Sequence, residues 1–192
     1  MKDSFHPLGR NVGQFTGEPT PRVYILELKQ DDPAKNTSAK MRKFGYARPT
    51  TASRIPRDSI VLNPFAESTV LPSDMETVMK FGLVVIDCSW VHANEVFSYR
   101  YKGKQRKLPA LIAGNPTNYA RLGSLSSLEA TAAALYIMGF KDLAKKMLSL
   151  YKWGDTFLTL NKDPLDEYSQ AHTQEEVSSI EHSYYSAAIQ GA

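Results

Sequence analysis

The chain has 192 residues, 42% hydrophobic and 22% charged, which is ordinary for a folded protein of one large or two small domains. No apolar run approaches the roughly 20 residues of a membrane-spanning helix, and the N-terminal residues lack the apolar segment of a signal peptide. A single cysteine, Cys88, excludes an internal disulfide framework and favours a reducing compartment. We therefore expect a cytoplasmic protein without a membrane partner.

The net charge of +3 is spread unevenly along the chain. Residues 1–107 hold 17 Lys and Arg against 11 Asp and Glu, whereas residues 108–192 hold 6 against 9. Much of the excess lies in two clusters: Lys40, Arg42, Lys43, Arg48, Arg54 and Arg57, and Arg100, Lys102, Lys104, Arg106 and Lys107. Basic clusters with interleaved aromatic residues are typical of RNA-binding faces, where aromatic rings stack on unpaired bases. An ordinary solvated surface is the alternative.

The first half of the chain reads as strands that alternate with helices. Residues 22–28 and 59–62 are rich in β-branched and apolar side chains and predict strands, the second stopped at Asn63 by the proline that follows. Ser73, with a glutamate three residues later, has the spacing of a capping box and predicts a helix that ends at Gly82. This order predicts an α/β domain.

Residues 83–87, Leu-Val-Val-Ile-Asp, form the most strongly apolar strand candidate. A continuous apolar run is typical of a strand buried on both faces of a parallel sheet. Ligands of open α/β sheets bind beyond the carboxyl ends of the strands, which makes Asp87 and Trp90 candidate site residues. Alternatively, Asp87 caps the next helix and Trp90 fills the core.

The second half is predicted to be mainly helical. Ser126 and Glu129 have capping-box spacing at the start of an alanine-rich helix that ends before Gly139. The other predicted elements are a helix over 89–99, a strand over 109–113, an amphipathic helix over 141–151 and an acidic helical tail interrupted at Pro164.

Few standard chemistries fit the sequence. It contains neither a GxxxxGK[ST] phosphate loop nor a strand-linked GxGxxG, and its scattered histidines do not predict a metal site. Loops at 62–64, 86–90 and 113–119 follow predicted strands and would converge if those strands share one sheet. Apolar walls, exposed backbone groups and one aspartate suit a flat, partly apolar ligand such as an adenosine.

Several short motifs, in the right order, resemble those of the small-subunit (16S/18S) rRNA aminocarboxypropyltransferases. They are Asp-Pro-x-Lys-x-Thr at 32–37, Asp-Cys-Ser-Trp at 87–90, Arg-x-Leu-Pro at 106–109, Asn-Pro-x-Asn-Tyr at 115–119, Leu-Glu-Ala at 128–130 and Trp-Gly at 153–154. The resemblance extends from about Arg22 to Tyr168. Ala34 departs from it, because the family pattern is more basic there.

The resemblance implies a function and a fold. The family transfers the 3-amino-3-carboxypropyl group of S-adenosylmethionine to N3 of a pseudouridine, usually N1-methylated, in small-subunit rRNA. It implies an N-terminal α/β domain, here residues 1–80 and facing RNA, followed by a SPOUT-like cofactor-binding domain, residues 81–192, with a deep trefoil knot. We expect a monomer that acts on small-subunit rRNA or the pre-ribosomal small subunit and holds no metal.

The resemblance also assigns roles to individual residues. The adenine and methyl pocket would be formed by Leu62, Pro64, Trp90, Leu111, Ala132 and Ala133. The backbone of Ile86 would hold the ribose, Asn118 and Tyr119 would read the adenine edge, and Thr37 would steady the amino-acid arm. As a hypothesis, Asp87 lies near the acceptor nitrogen and assists the loss of its proton, although it could equally orient the cofactor.

Two rival functions use the same sequence features. A SPOUT-type rRNA methyltransferase would bind the same donor but present its methyl carbon to the acceptor. A non-catalytic RNA-binding assembly factor would need only the two basic clusters. Identifying which carbon of S-adenosylmethionine reaches the RNA distinguishes a methyltransferase from an aminocarboxypropyltransferase. Measuring S-adenosylmethionine binding distinguishes either enzyme from a non-catalytic RNA-binding factor.

Overall fold

The structure is a computed structural model that describes residues 19–28 and 36–189. The motif residues 32–35, including Ala34, lie outside the described residues. Within the described part of the chain, no helix is both long and apolar enough to cross a membrane.

One parallel sheet forms the centre of the described chain and confirms the predicted α/β class. Its strands are β1 (Val23–Glu27), β2 (Arg48–Pro49), β3 (Ile60–Leu62), β4 (Leu83–Asp87) and β5 (Lys104–Arg106), in the order β2-β1-β4-β3-β5. Every neighbouring pair is parallel. All residues of β4 are buried, as its unbroken apolar run predicts. Strands from both sides of residue 80 enter this sheet, and the domain boundary there stays a prediction.

Helices cover both faces of the sheet. They are α1 (Thr37–Lys43), α2 (Met75–Phe81), α3 (Ala93–Ser98), α4 (Ser127–Ile137), α5 (Lys141–Leu148), α6 (Gly154–Tyr168) and α7 (Gln174–Ile189). Ile25 and Val85 face the core under α4, whereas Val84 and Ile86 face a smaller core that includes Val96 of α3. The alternation follows from the two-residue period of a strand.

Gly82 marks the predicted end of α2. Its φ is +95°, a backbone conformation that side chains rarely adopt. A Cβ at this position would lie 2.8 Å from the carbonyl oxygen of Arg22. Only glycine therefore lets the chain turn from α2 directly into β4.

The alanine-rich helix α4 is almost wholly buried. It packs against α5 and α6 and also touches α1 and β4. Its capping box is confirmed: the Ser126 side chain accepts from the Glu129 amide, and the Glu129 carboxylate accepts from the Ser126 amide. Small side chains let the helix lie close to neighbours on all sides. The thin helix therefore supports the core rather than an exposed face.

The predicted capping box at Ser73 is wrong. The observed N-cap is Leu71, two residues before Ser73, and a 3-10 helix, Pro72–Asp74, follows it because proline fixes the backbone for a helical first turn. Asp74 provides the capping oxygen, accepting from the Leu71 amide at 3.2 Å and from Arg106 Nε at 3.0 Å. The helix itself still ends before Gly82 as predicted.

The predicted strand over 109–113 is also wrong. Only an isolated antiparallel bridge joins Ile112 to Leu122. The Asn161 side chain replaces a strand partner: its Oδ1 accepts from the Ile112 amide and its Nδ2 donates to the Ile112 carbonyl, both at 2.8 Å. The apolar pattern reflects real burial, but helix side chains and the backbone of residues 120–123, rather than a strand of the sheet, satisfy the backbone of this segment.

The two helices after α4 differ from prediction in their ends. Helix α5 stops at Leu148 rather than near Tyr151. Helix α6 runs through Pro164, although an interior proline costs about 3 kcal/mol. Phe157 and Tyr168, on either side of the proline, are fully buried, and their packing offsets that cost.

Candidate functional site

An apolar cavity of about 480 Å³ opens beyond the carboxyl ends of β3 and β4. It brings together four predicted cofactor-binding residues: Leu62, Pro64, Ile86 and Trp90. Its apolar wall also includes Leu108, Leu122, Leu125 and Ala130, and its polar lining residues are Asn63, Lys107, Ser126, Ser127 and Glu181. We call it the first cavity. Its position at the strand ends is that of ligand sites in open α/β sheets.

A second cavity, of about 630 Å³, adjoins the first. It contains four predicted site residues: Thr37, Asp87, Trp90 and Asn118. Polar side chains dominate the rest of its wall: Asn36, Asn115, Arg121, Ser126 and Ser127, with Tyr151 and Trp153 as an aromatic side. Because Cys88, Trp90, Leu125, Ser126 and Ser127 line both cavities, a bound molecule could extend from one into the other.

Trp90 stands where the two cavities meet. It opens the 3-10 helix Trp90–His92 after β4, and 46% of its surface is exposed. Its indole Nε1 donates to the Leu125 carbonyl at 3.1 Å. The alternative that Trp90 fills the core is therefore wrong. Its indole instead presents a flat apolar surface whose orientation is fixed by a hydrogen bond.

Asp87 ties the end of β4 to the beginnings of two helices. Its Oδ2 accepts from Asn36 Nδ2 at 3.0 Å and lies 2.8 Å from Ser38 Oγ, both at the start of α1. Its Oδ1 accepts from the Ser127 hydroxyl at the start of α4. The alternative that it caps the following helix is wrong, since no side chain caps the 3-10 helix at Ser89.

The Asp87 carboxylate has only neutral hydrogen-bond partners in the described chain. It is 7% exposed, and no cationic side chain of residues 19–28 or 36–189 forms an ion pair with it. Its strand neighbour Glu27 pairs with Arg42 at 2.7 Å. A buried carboxylate without a cation attracts a positively charged ligand strongly. The residues present therefore fit a molecule that carries positive charge next to an apolar body.

Glu129 fixes the loop at 114–118, which lines the second cavity and packs against Phe157 of α6 through Gly114. One carboxylate oxygen accepts from the amides of Gly114 and Asn115, at 2.8 and 2.9 Å. The other accepts from the Asn115 side chain and from Ser126. The sequence predicts the capping box that Glu129 forms with Ser126. It holds no signal for the hydrogen bonds that Glu129 accepts from residues 114 and 115.

The remaining predicted cofactor-binding residues lie outside both cavity walls. Leu111, Ala132 and Ala133 are at most 1% exposed and belong to the core behind the first cavity. Two other α4 residues, Ser127 and Ala130, reach the wall of the first cavity. Tyr119 is 58% exposed and lies beside Asn118 at the outer end of the second cavity's loop.

The predicted RNA-binding residues divide by their contacts. Seven are exposed and form no ion pair in the described chain: Lys43, Arg48, Arg54, Arg57, Arg100, Lys102 and Lys104. Lys102 donates to the Ser53 carbonyl at 3.2 Å, which brings the two basic clusters together. The other four make specific contacts within the described chain. The Lys40 ammonium lies over the Tyr151 ring, Arg42 and Arg106 form ion pairs with Glu27 and Asp74, and Lys107 lines the first cavity. The exposed seven form the stronger candidate RNA surface.

The described residues contain no cluster of three or more metal-ligating side chains. Tyr151 is the titratable wall residue with a displaced pKa: burial raises the pKa of its phenol, which stays protonated at neutral pH. The site therefore offers hydroxyl, amide and aromatic groups together with one carboxylate.

Comparisons with known proteins identify the chain's family. The family model described as "Ribosome biogenesis protein, C-terminal" matches residues 60–185. A curated relative from Vulcanisaeta distributa, named 16S rRNA aminocarboxypropyltransferase, is 47% identical over 78% of this chain and 82% of its own length. The chain belongs to the 16S rRNA aminocarboxypropyltransferase family.

Further members of this family agree. Relatives of the same name from Methanosarcina acetivorans and Methanocaldococcus jannaschii are 44% and 42% identical, over 84% and 85% of this chain and 93% and 96% of theirs. A solved structure, described as the SAM-dependent rRNA:acp-transferase Tsr3 from Vulcanisaeta distributa, superposes with a TM-score of 0.77. It is 45% identical and covers 81% of this chain and 86% of its own. The family resemblance read from the motifs is confirmed.

Proposed function

We propose that the chain transfers the 3-amino-3-carboxypropyl group of S-adenosylmethionine to N3 of a pseudouridine, with or without N1-methylation, in small-subunit rRNA during ribosome biogenesis. Its relatives carry the name of this activity. The structural observation that carries the proposal is the junction at Trp90, where an apolar cavity meets the buried Asp87 carboxylate. That combination matches a donor with a flat adenosine body and cationic sulfonium and ammonium groups.

The first cavity would hold the apolar parts of the donor. Leu62, Pro64 and Ile86 would contact the adenosine, and Trp90 would cover the methyl group so that the methyl carbon faces protein. Leu111, Ala132 and Ala133 would support this wall from the core, and the main chain of the Asn118–Tyr119 loop would close its edge, which leaves the Asn118 side chain to the second cavity. A wall that covers the methyl carbon favours transfer of the aminocarboxypropyl group, whose carbon stays accessible to the acceptor.

Thr37 and Asp87 would hold the amino-acid arm in the second cavity. S-adenosylmethionine supplies an electrophilic carbon that is already activated by its sulfonium, so the chain's main task is orientation. The new bond joins acceptor N3 to that carbon, the carbon–sulfur bond breaks with its electron pair left on sulfur, and the N3 proton is released. The neutral donors on Asp87 support a positioning role for this carboxylate at least as well as a role as base.

The finer features implied by the family are also proposed here. They are a SPOUT-like fold with a deep trefoil knot, a division between an RNA-facing segment (1–80) and a cofactor-binding segment (81–192), a monomeric state and a cytoplasmic location. The parallel sheet with helices on both faces is consistent with the fold proposal. Four of the seven exposed basic residues named above precede residue 80 and support the RNA-facing role of that segment. The other three, at 100–104, would extend the RNA surface onto the cofactor-binding segment.

Mass spectrometry of rRNA nucleosides tests the proposal. Small-subunit rRNA that lacks the modification is incubated with the chain and S-adenosylmethionine and then digested. We expect one pyrimidine nucleoside to gain the aminocarboxypropyl group. Gain of a methyl group would identify a methyltransferase instead. An unchanged nucleoside profile, with no S-adenosylmethionine binding by calorimetry, would identify a non-catalytic RNA-binding factor.

A further inference from the structure

The second cavity has more room and more polar groups than the amino-acid arm of the donor requires. Thr37 and Asp87 occupy one part of its wall, and Asn118, Arg121, Tyr151 and Trp153 form the rest. Its volume of about 630 Å³ is within the range of about 300–1,000 Å³ typical of ligand sites. Because it adjoins the first cavity at Trp90, a molecule bound here would meet the transferable carbon directly.

Tyr151 and Trp153 form a flat aromatic wall. Their ring centroids are 5.0 Å apart and their planes differ by 29°, so the rings are stacked. The Lys40 ammonium lies 4.0 Å from the Tyr151 ring centroid, which holds that ring in place through a cation–π contact. Trp153 and Lys40 together cover the two faces of the Tyr151 ring, so the ring that can take a base is Trp153, with Tyr151 behind it. A fixed aromatic ring binds nucleic-acid bases by stacking, whatever the base.

Three polar groups in this wall are unused in the described part of the chain. The Asn118 side-chain amide, the Arg121 guanidinium and the Trp153 indole N–H have no hydrogen-bond partner among residues 19–28 and 36–189. The other amides of the wall are satisfied, Asn36 by Asp87 and Asn115 by Glu129. Unused donors and acceptors that line a cavity are free for a ligand.

The rim of the same cavity carries an exposed apolar side chain. Val91 lines the cavity and is 87% exposed. Proteins that unstack a base commonly insert an apolar side chain into the resulting gap. Val91 at the rim is placed to fill the gap that an extruded base would leave.

We propose that the second cavity receives the acceptor nucleotide as a single pyrimidine extruded from the rRNA, stacked on the Trp153 ring that Tyr151 supports from behind. The Asn118 amide contacts the base edge next to N3, and Arg121 at the rim contacts a flanking phosphate. Extrusion is required because N3 lies on the Watson–Crick edge, inside the stack of a helix. This inference rests on the proposed transfer reaction and names the site where its acceptor binds.

Kinetics with four variants test the inference. Asn118→Ala and Arg121→Ala remove the unused polar groups, Tyr151→Leu removes a ring, and Tyr151→Phe keeps it. The matched control is Lys162→Ala, which removes one exposed positive charge from α6, away from the second cavity. Each protein is compared for thermal unfolding, S-adenosylmethionine affinity by calorimetry, and kcat/KM for unmodified small-subunit rRNA with carboxyl-labelled donor.

We expect Asn118→Ala, Arg121→Ala and Tyr151→Leu to lower kcat/KM for rRNA by about tenfold or more, while S-adenosylmethionine affinity stays within about twofold of wild type. Tyr151→Phe and Lys162→Ala should retain wild-type transfer. Transfer by the three variants at the rate of Lys162→Ala would overturn the acceptor site and leave the proposed reaction intact. So would a parallel loss of donor affinity, since the cavity would then serve the donor alone. Absence of transfer by the wild type would overturn the proposed function itself.

A crosslink provides a second measurement that does not depend on variant folding. An rRNA fragment with 4-thiouridine in place of the acceptor is irradiated in complex with the wild-type chain and S-adenosylmethionine. The inference predicts a crosslink to the peptide that contains residues 151–153. A crosslink confined to the exposed basic residues would contradict it.

Discussion

The Ser127 hydroxyl, in the first residue of α4, donates a hydrogen bond to Oδ1 of Asp87, the last residue of β4. Ser127 lines both cavities. This contact therefore fixes the distance between the end of β4 and the start of α4 at the point where S-adenosylmethionine and the acceptor nucleotide would meet.

Substitution of Asp87 should separate its structural role from its charge. Asp87→Ala leaves the Asn36 Nδ2 and Ser127 hydroxyl donors unpaired, whereas the Ser38 hydroxyl keeps Glu27 as an acceptor. The variant should lower the free energy of unfolding by about 2–4 kcal/mol in urea. Asp87→Asn keeps an acceptor oxygen and should lose less. Both should weaken S-adenosylmethionine binding by about tenfold, because the negative charge is gone.

The exposed acid Glu95 provides the control, and Glu95→Gln should bind the donor as the wild type does. Wild-type donor affinity in Asp87→Asn would contradict the electrostatic role. A wild-type transfer rate in Asp87→Asn at saturating donor and rRNA would remove any role for the carboxylate as the base.

Trp90 should matter for donor binding through its ring more than through its indole N–H. Trp90→Ala removes the flat surface and should lower S-adenosylmethionine affinity about tenfold, or about 1.4 kcal/mol. Trp90→Phe keeps a ring but loses the bond to Leu125, and about a threefold loss is expected. Phe44→Ala, an equally exposed aromatic outside both cavities, is the calorimetric control. Equal affinities for Trp90→Ala and Phe44→Ala would remove Trp90 from the site.

Glu129 should be among the most sensitive polar residues for stability. Glu129→Ala leaves the Gly114 and Asn115 amides without an acceptor and should cost about 3–5 kcal/mol, against about 1–3 for Glu129→Gln. Hydrogen exchange at 114–118 should accelerate in both variants, because this loop loses its anchor. Exposed Glu76→Ala should change stability by less than about 0.5 kcal/mol. Unchanged exchange at 114–118 in Glu129→Ala would show that the loop is held by other contacts.

The contact between α4, α5 and α6 predicts a small pH effect. Hydrogen bonds from Lys141 and then Tyr136 lower the pKa of Asp166. A lowered folded-state pKa stabilises the fold above the ordinary carboxyl pKa of about 4, and the effect is lost as pH falls through the folded value. Asp166 is 45% exposed, so solvent screening limits the effect to less than about 1 kcal/mol.

Urea unfolding of Asp166→Asn measures this effect. The variant should be slightly less stable than the wild type at pH 7 and equally stable near pH 2. A difference that is the same at both pH values would show that packing, not the carboxylate charge, links the helices.

The central sheet and part of the site could be predicted because their signals are local. The apolar run of β4, the glycine before it and the strand-end positions of Leu62, Ile86 and Trp90 all follow from sequence periodicity. The strand predicted at 109–113 failed because its backbone partner is Asn161, a side chain from a distant helix. The pattern of apolar residues in the sequence is the same whether a neighbouring strand or a buried side chain pairs with the backbone.

The second cavity could not be assembled from sequence for a similar reason. Tyr151 and Trp153 follow α5, whereas Asn118 and Arg121 belong to a loop that Glu129 holds from α4. Their meeting depends on the packing of α4 against α5 and α6, and no spacing rule connects these segments. The edge strands β2 and β5 were missed because their polar residues lack the alternation of a half-buried strand.

The most direct test of the proposed reaction is the origin of the carbon that reaches the RNA. The wild-type chain and unmodified small-subunit rRNA are incubated in parallel with carboxyl-labelled and methyl-labelled S-adenosylmethionine, with Trp90→Ala as the weakened-binding control. We predict label in the RNA from the carboxyl-labelled donor alone, and less of it with the variant. Methyl label in the RNA, without carboxyl label, would contradict aminocarboxypropyl transfer.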